Sequence, residues 1–171
     1  MTNNEMNTLH HQITSLNTQM KRNAGYLARQ EIEKLKEQLR YHPNRLEQFG
    51  FKVYSQNDED GIIEEIFRRI GISVGTFCEI GVENGLECNS LYLIHKGWRG
   101  SWLEGDANQM QSIQNKFGYI LANKRLSLCI GYVTPDNINS AIAQVLNALD
   151  IDHKNLDFLS IDIDGMDIYL L

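Results

Sequence analysis

From residue 51 onward the hydrophobic pattern alternates between the period of a helix and the continuous apolar run of a buried strand. Few folds accommodate that alternation. Ile62, Ile63, Ile66, Phe67 and Ile70 predict a helix over about 58–70, with Gly71 as its C-cap. "TFCEIGV" then reads as a strand, and a helix is expected from Gly85 to His95, closed by Gly97. "GSWLE" gives a second strand, and Met110, Ile113 and Phe117 mark the next helix. "LSLCIGYV" is a third strand, and "TPDNINSAIAQVLNAL" predicts a helix with Thr134 as N-cap and Pro135 at its first position. "LDFLSIDI" closes the series as a fourth strand. Strands separated by helices require crossover connections and a parallel sheet covered on both faces. Unbroken apolar strands fit burial on both sides. The predicted fold is therefore α/β, a Rossmann-like doubly wound parallel sheet.

A different pattern precedes it. The first 40 residues contain no Pro and a single Gly. Met6, Leu9, Ile13, Leu16 and Met20 are spaced 3, 4, 3, 4, and Ala28, Ile32, Leu35 and Leu39 resume that spacing after a phase slip. A long helix is expected, closed near Tyr41 by Pro43. Its apolar seam either joins copies of the chain through residues 6–39 as a homo-oligomeric coiled coil, or the helix packs on its own domain or frays in solution. The expected division is a helical segment over 1–50 and an α/β domain over 51–171.

Charge narrows the partners. Residues 1–50 carry seven Lys/Arg and five Asp/Glu, whereas residues 51–171 carry nine against seventeen. Such an acidic body argues against nucleic acid, whose affinity comes largely from cations on phosphates. No run approaches the ~18 apolar residues of a membrane span, and no leader opens the chain, so a cytoplasmic location is expected. Cys78, Cys88 and Cys129 are odd in number and scattered, and they read as free thiols, two of them inside apolar runs.

In an open parallel sheet, ligands bind beyond the carboxyl ends of the strands, where strand order reverses. The first strand ends in "EIGVENG", which brings Glu79, Gly81, Asn84 and Gly85 to a tight loop whose following helix start favours a ligand carboxylate. The second ends in "LEGD", placing Glu104 and Asp106 there, with Glu104 nineteen residues after Gly85, where an acid holds a ribose diol. The third brings Tyr132 to flank a flat ring. The fourth ends in "DIDGMD", where Asp162 and Asp164 share one side of the strand. G-x-G-x-x-G is absent, and an acid ahead of the glycines opposes a pyrophosphate, so a dinucleotide is disfavoured. The same acid suits an ammonium or sulfonium ligand, which points to S-adenosylmethionine. Neither "SIDIDG" nor "NDEDG" completes a calcium loop, since Leu171 and Phe67 stand where the bidentate Glu belongs. No metal ligands are assigned.

"YSQNDEDGIIEEIF", "FCEIGVENGLECNSLYLIHKGWRGSWLEGD" and "LDFLSIDIDGMDIY", in that order, resemble the FkbM-type class I methyltransferases over roughly residues 53–171. The resemblance implies S-adenosylmethionine as cofactor and O-methylation of a small-molecule or carbohydrate hydroxyl. It implies Glu79, Gly81 and Gly85 on the methionine part, Glu104 on the ribose and Asp162 near the reacting methyl, with Ser55 to Gly61 capping the cofactor. Asp164 is expected as general base or as a metal ligand. The family's sheet has seven strands and this pattern stops after the fourth, so a C-terminally incomplete domain without turnover is expected. The alternative is a binding or interaction module that self-associates through its helix.

Overall fold

The computed structural model describes residues 3–39, 41–42, 44–163, 165 and 167–170. The chain divides into two compact units, Met1–Gln48 and Phe49–Leu171.

The first unit is dominated by one helix, α1 (Asn3–Leu39, 37 residues). It ends two residues before Tyr41, and the expected stop at Pro43 lies outside the described residues. Ile13, Leu16, Met20, Ile32 and Leu35 are all exposed.

The second unit follows the alternation read from the sequence: α2 (Glu59–Ile70), β1 (Thr76–Ile80), α3 (Leu91–His95), β2 (Arg99–Glu104), α4 (Gln109–Ala122), β3 (Leu126–Ile130), α5 (Ile138–Asn147) and β4 (Phe158–Ile161). The four strands are parallel in the order β3-β2-β1-β4. The chain builds outward through β2 and β3, then crosses back to place β4 on the far side of β1. That return also changes the face on which the connection packs. Residues of α2, α3 and α4 join Phe77, Trp102 and Leu126 in one core layer. Those of α5 join Cys78, Ile80 and Leu103 in the other. Neighbouring residues of β1 alternate between the two layers, as a strand buried on both faces requires.

Local chemistry sets the element ends. Gly71 adopts φ 81° and closes α2, with the Ile72 N–H donating to the Phe67 carbonyl at 3.0 Å. Gly97, at φ 99°, ends α3 as expected. Two predicted starts are corrected. The helix expected from Gly85 begins at Leu91, because residues 82–90 are drawn across the end of β1. The helix expected from Thr134 begins at Ile138. There the Asn137 side chain accepts from the Thr134 N–H at 2.7 Å, and the Thr134 carbonyl accepts from the N–H groups of Asn137 and Ile138. The N-cap is thus Asn137, and Thr134 and Pro135 lie in the turn before the helix instead of at its N-cap and first position.

One polar thread crosses the second layer. Ser127 Oγ donates to the Val145 carbonyl at 2.7 Å, so the 2.6 Å contact between Ser101 Oγ and Ser127 Oγ must take its proton from Ser101. The neighbouring strands β2 and β3 are thereby tied to α5 without an unpaired hydroxyl.

Leu146 of α5 is fully buried in this layer. Leu146→Ala is expected to lower unfolding stability by about 2–5 kcal/mol, through lost transfer energy and the cavity left behind. Urea unfolding checks this, with the midpoint falling and the slope unchanged.

Candidate functional site

Strand order reverses between β1 and β4, and a cavity of about 660 Å³ opens beyond the carboxyl ends of the strands at that point. Gly81 makes the reversal possible. At φ 83° it sits so close to the chain leaving β4 that a Cβ would lie 1.8 Å from the Asp162 carbonyl oxygen. Its N–H donates to the Leu103 carbonyl at 2.9 Å, and the Asp162 N–H donates to the Ile80 carbonyl at 2.9 Å. The ends of three strands are held at one place.

Glu79 is 1% exposed on the α3 side of β1. The N–H groups of Asn89 and Ser90 donate to its Oε1 and Oε2 at 2.9 and 2.8 Å, and the Ser90 hydroxyl also donates to Oε2. Ser90 Oγ in turn accepts from Trp102 Nε1 at 2.8 Å. The expectation that the helix start would receive a ligand's carboxylate is corrected here: Glu79 already occupies those amides. Burial pushes the Glu79 carboxyl up, and the Ser90 and Asn89 donors offset only part of that rise. Burial likewise pushes the Cys78 thiol up to about 12, and it raises Cys88 as well, with Glu79 adding to both.

Glu104 lies at the end of β2, 8% exposed rather than splayed into solvent. Its Oε2 accepts from the Glu83 N–H at 2.6 Å and its Oε1 from the Asp106 N–H at 2.8 Å. Each oxygen keeps a second acceptor position. One carboxylate therefore fixes the loops after β1 and β2 and still faces the cavity. Glu83 is held at φ 49°, a left-handed conformation that costs a non-glycine residue energy and that the Glu104 bond helps to retain.

The other expected residues separate into two groups. Asp106, Tyr132 and Asp162 line the cavity with Glu79, Gly81 and Glu104. Tyr132 is 82% exposed, and its ring lies over Gly105, where a Cβ would stand 3.1 Å from it. Asp106 spends one oxygen on the Asn108 N–H and side-chain amide, at 2.9 and 2.8 Å. The Asp162 carboxylate is exposed and takes no hydrogen bond among the described residues. Asn84 and Gly85 do not line the cavity. Asn84 accepts from the Leu86 N–H at 3.0 Å, and Gly85 backs onto the core, where a Cβ would lie 2.6 Å from Trp102 and 2.8 Å from Phe117. In this structure both residues shape the loop. Asp164 lies outside the described residues. Asp167 answers part of the acidic crowding after β4, because it accepts from the N–H groups of Ile163 and Gly165 at 2.7 and 3.3 Å. Those bonds hold its carboxyl below the usual range.

Among the lining residues that the strand-end reading did not name are Gln56, Glu59, Glu83 and Glu87. The first two belong to the segment Ser55 to Gly61. There Asp60 turns inward, accepting from the N–H groups of Val53, Tyr54 and Ser55 at 2.6, 2.6 and 2.9 Å. That leaves Gln56 and Glu59 on the cavity side. Lys52 spans from this strap to Glu87 at 2.7 Å and also donates to the Gln56 carbonyl at 2.7 Å.

Seven acidic residues consequently line the cavity, Glu59, Glu79, Glu83, Glu87, Glu104, Asp106 and Asp162, and among the described residues no Lys, Arg or His does. Compared with known protein families and with curated proteins, the chain matches none.

The raised carboxyl of Glu79 has a definite sign in stability. The protonated form favours the folded chain, so this contribution is complete below the ordinary value of 4.5 and is lost as pH rises through the raised folded value. Across that window the urea midpoint of the wild type is expected to fall relative to that of Glu79→Gln, which does not titrate. Parallel curves would mean that burial does not govern this carboxyl.

Proposed function

We propose that residues 49–171 form an S-adenosylmethionine site of the FkbM methyltransferase type, serving O-methylation of a small-molecule or carbohydrate hydroxyl. The observation that carries this reading is the charge of the cavity, with seven acidic residues and no basic one among the described residues. A phosphate-bearing cofactor would meet repulsion there from every side. A ligand with an ammonium and a sulfonium group would meet attraction.

The fit can be tested residue by residue. Glu104 presents two fixed oxygens, each with an acceptor position to spare, which suits a vicinal diol. Tyr132 over Gly105 offers an exposed aromatic face for a purine. Gly81 keeps the floor of the cavity free of side-chain bulk. When bound, the cofactor supplies an electrophilic methyl group on a positive sulfur. Asp162, facing the cavity without a hydrogen bond among the described residues, is the group positioned to take the proton of an acceptor hydroxyl.

Calorimetric titration of the chain with S-adenosylmethionine, NAD and ATP is the test. S-adenosylmethionine should bind and the two phosphate ligands should not. Glu104→Gln should weaken binding by roughly ten- to hundredfold, the loss of a charge-assisted hydrogen-bond pair worth about 1.5–3 kcal/mol. Tighter binding of either phosphate ligand would end the proposal. Undiminished affinity in folded Glu104→Gln would end the ribose assignment.

A further inference from the structure

The apolar stripe of α1 has a symmetry that a heptad description conceals. Leu9, Ile13, Leu16, Met20, Ala24, Ala28, Ile32, Leu35 and Leu39 are spaced 4, 3, 4, 4, 4, 4, 3, 4, which reads the same in both directions about Ala24. At about 100° per residue the stripe is therefore mirrored around the direction of Ala24, and Met20 and Ala28 flank it equally. A helix with this pattern presents the same surface to a two-fold axis passing at right angles through its middle. Of its members, Ile13, Leu16, Met20, Ile32 and Leu35 are large and exposed, although an apolar stripe gains stability only when covered.

We propose that α1 pairs antiparallel with α1 of a second copy of this chain, about a two-fold axis at Ala24. The axis sets Ala24 against its counterpart, Met20 against the partner's Ala28, Leu16 against the partner's Ile32 and Ile13 against the partner's Leu35. Small residues at the centre let the helices approach closely, and each Met20 extends over an alanine instead of meeting another methionine. Such an interface is isologous and closes at two chains.

Charge favours the same orientation. Residues 9–20 carry no Lys, Arg, Asp or Glu, whereas residues 21–39 carry five Lys/Arg and three Asp/Glu. A parallel pair would align the two basic halves along their whole length. The antiparallel pair lays each against the uncharged half of its partner, so like charges do not face one another.

The test uses the full chain. Light scattering should give twice the chain mass of 19.7 kDa, and Leu16→Asp should restore the single mass. Ser15→Glu, about 180° around the helix from Ala24, should leave the doubled mass unchanged. A spin label at His11→Cys, with Cys129 replaced by Ala, should report a separation of about 40 Å between copies, twice the rise of thirteen residues. A separation below about 25 Å would mean parallel helices and overturn the proposal. A single mass in the wild type, or a mass of three chains, would overturn it as well.

Discussion

Glu79 stands one residue before the end of β1, where its neighbours on the same face of the sheet, Trp102 and Ser160, belong to adjacent strands. A carboxylate in that position is costly unless donors surround it. The N–H groups of Asn89 and Ser90 and the Ser90 hydroxyl supply them, and the requirement propagates outward. The chain after β1 must arch back over the strand before it coils, so α3 begins at Leu91 and is only five residues long. Ser90, having given its proton to Glu79, orients the Trp102 indole. The arch places Glu83, Glu87, Cys88 and Asn89 on the cavity. Packing of the first core layer and the wall of the site therefore share one buried carboxyl group.

Glu104 performs the complementary task one strand away. It joins the arch, through Glu83, to the loop that opens α4, through Asp106. The two acids differ in what they leave available. Glu79 is closed in by protein donors, whereas Glu104 retains acceptor positions toward the cavity. Identical side chains at equivalent strand ends thus divide into a structural clamp and a candidate contact residue, and the number of donors around each decides the division.

The architecture was legible because strand and helix periods alternate cleanly, and the burial of Phe77 and Cys78 on opposite faces is what a two-sided apolar strand implies. The reversal of strand order that locates the cavity was anticipated only as a general property of such sheets. What the sequence did not disclose are interactions between segments distant in the chain. Nothing in "ENGLECNS" signals that its last two amides would be taken by an acid ten and eleven residues earlier, and so the helix start was placed six residues too soon. Gly85 has the composition of a ligand loop, yet its missing side chain makes room for Trp102 and Phe117. Asp60 reads as one acid among several in "NDEDG", but three consecutive amides turn it inward and leave Glu59 facing out. Periodicity reports which face of an element is buried. It does not report which buried polar groups find one another.

Carboxylates gathered around a cavity carry a cost in the empty protein. Two of them about 5 Å apart repel by about 3 kcal/mol at an effective dielectric near 20. Several here are partly relieved from within: Glu79 and Glu104 by backbone amides, Asp106 by the start of α4, and Glu87 by Lys52. Among the described residues that last pair is the one ion pair made to these acids, and it joins the strap to the arch across the rim. Asp162 receives no such help among the described residues. The relief is thus distributed unevenly, strongest where the acids hold loops in place and weakest beside the point at which strand order reverses. The loops around the cavity are thus held by acids whose oxygens accept from backbone N–H groups, while the Asp162 carboxylate takes no hydrogen bond among the described residues.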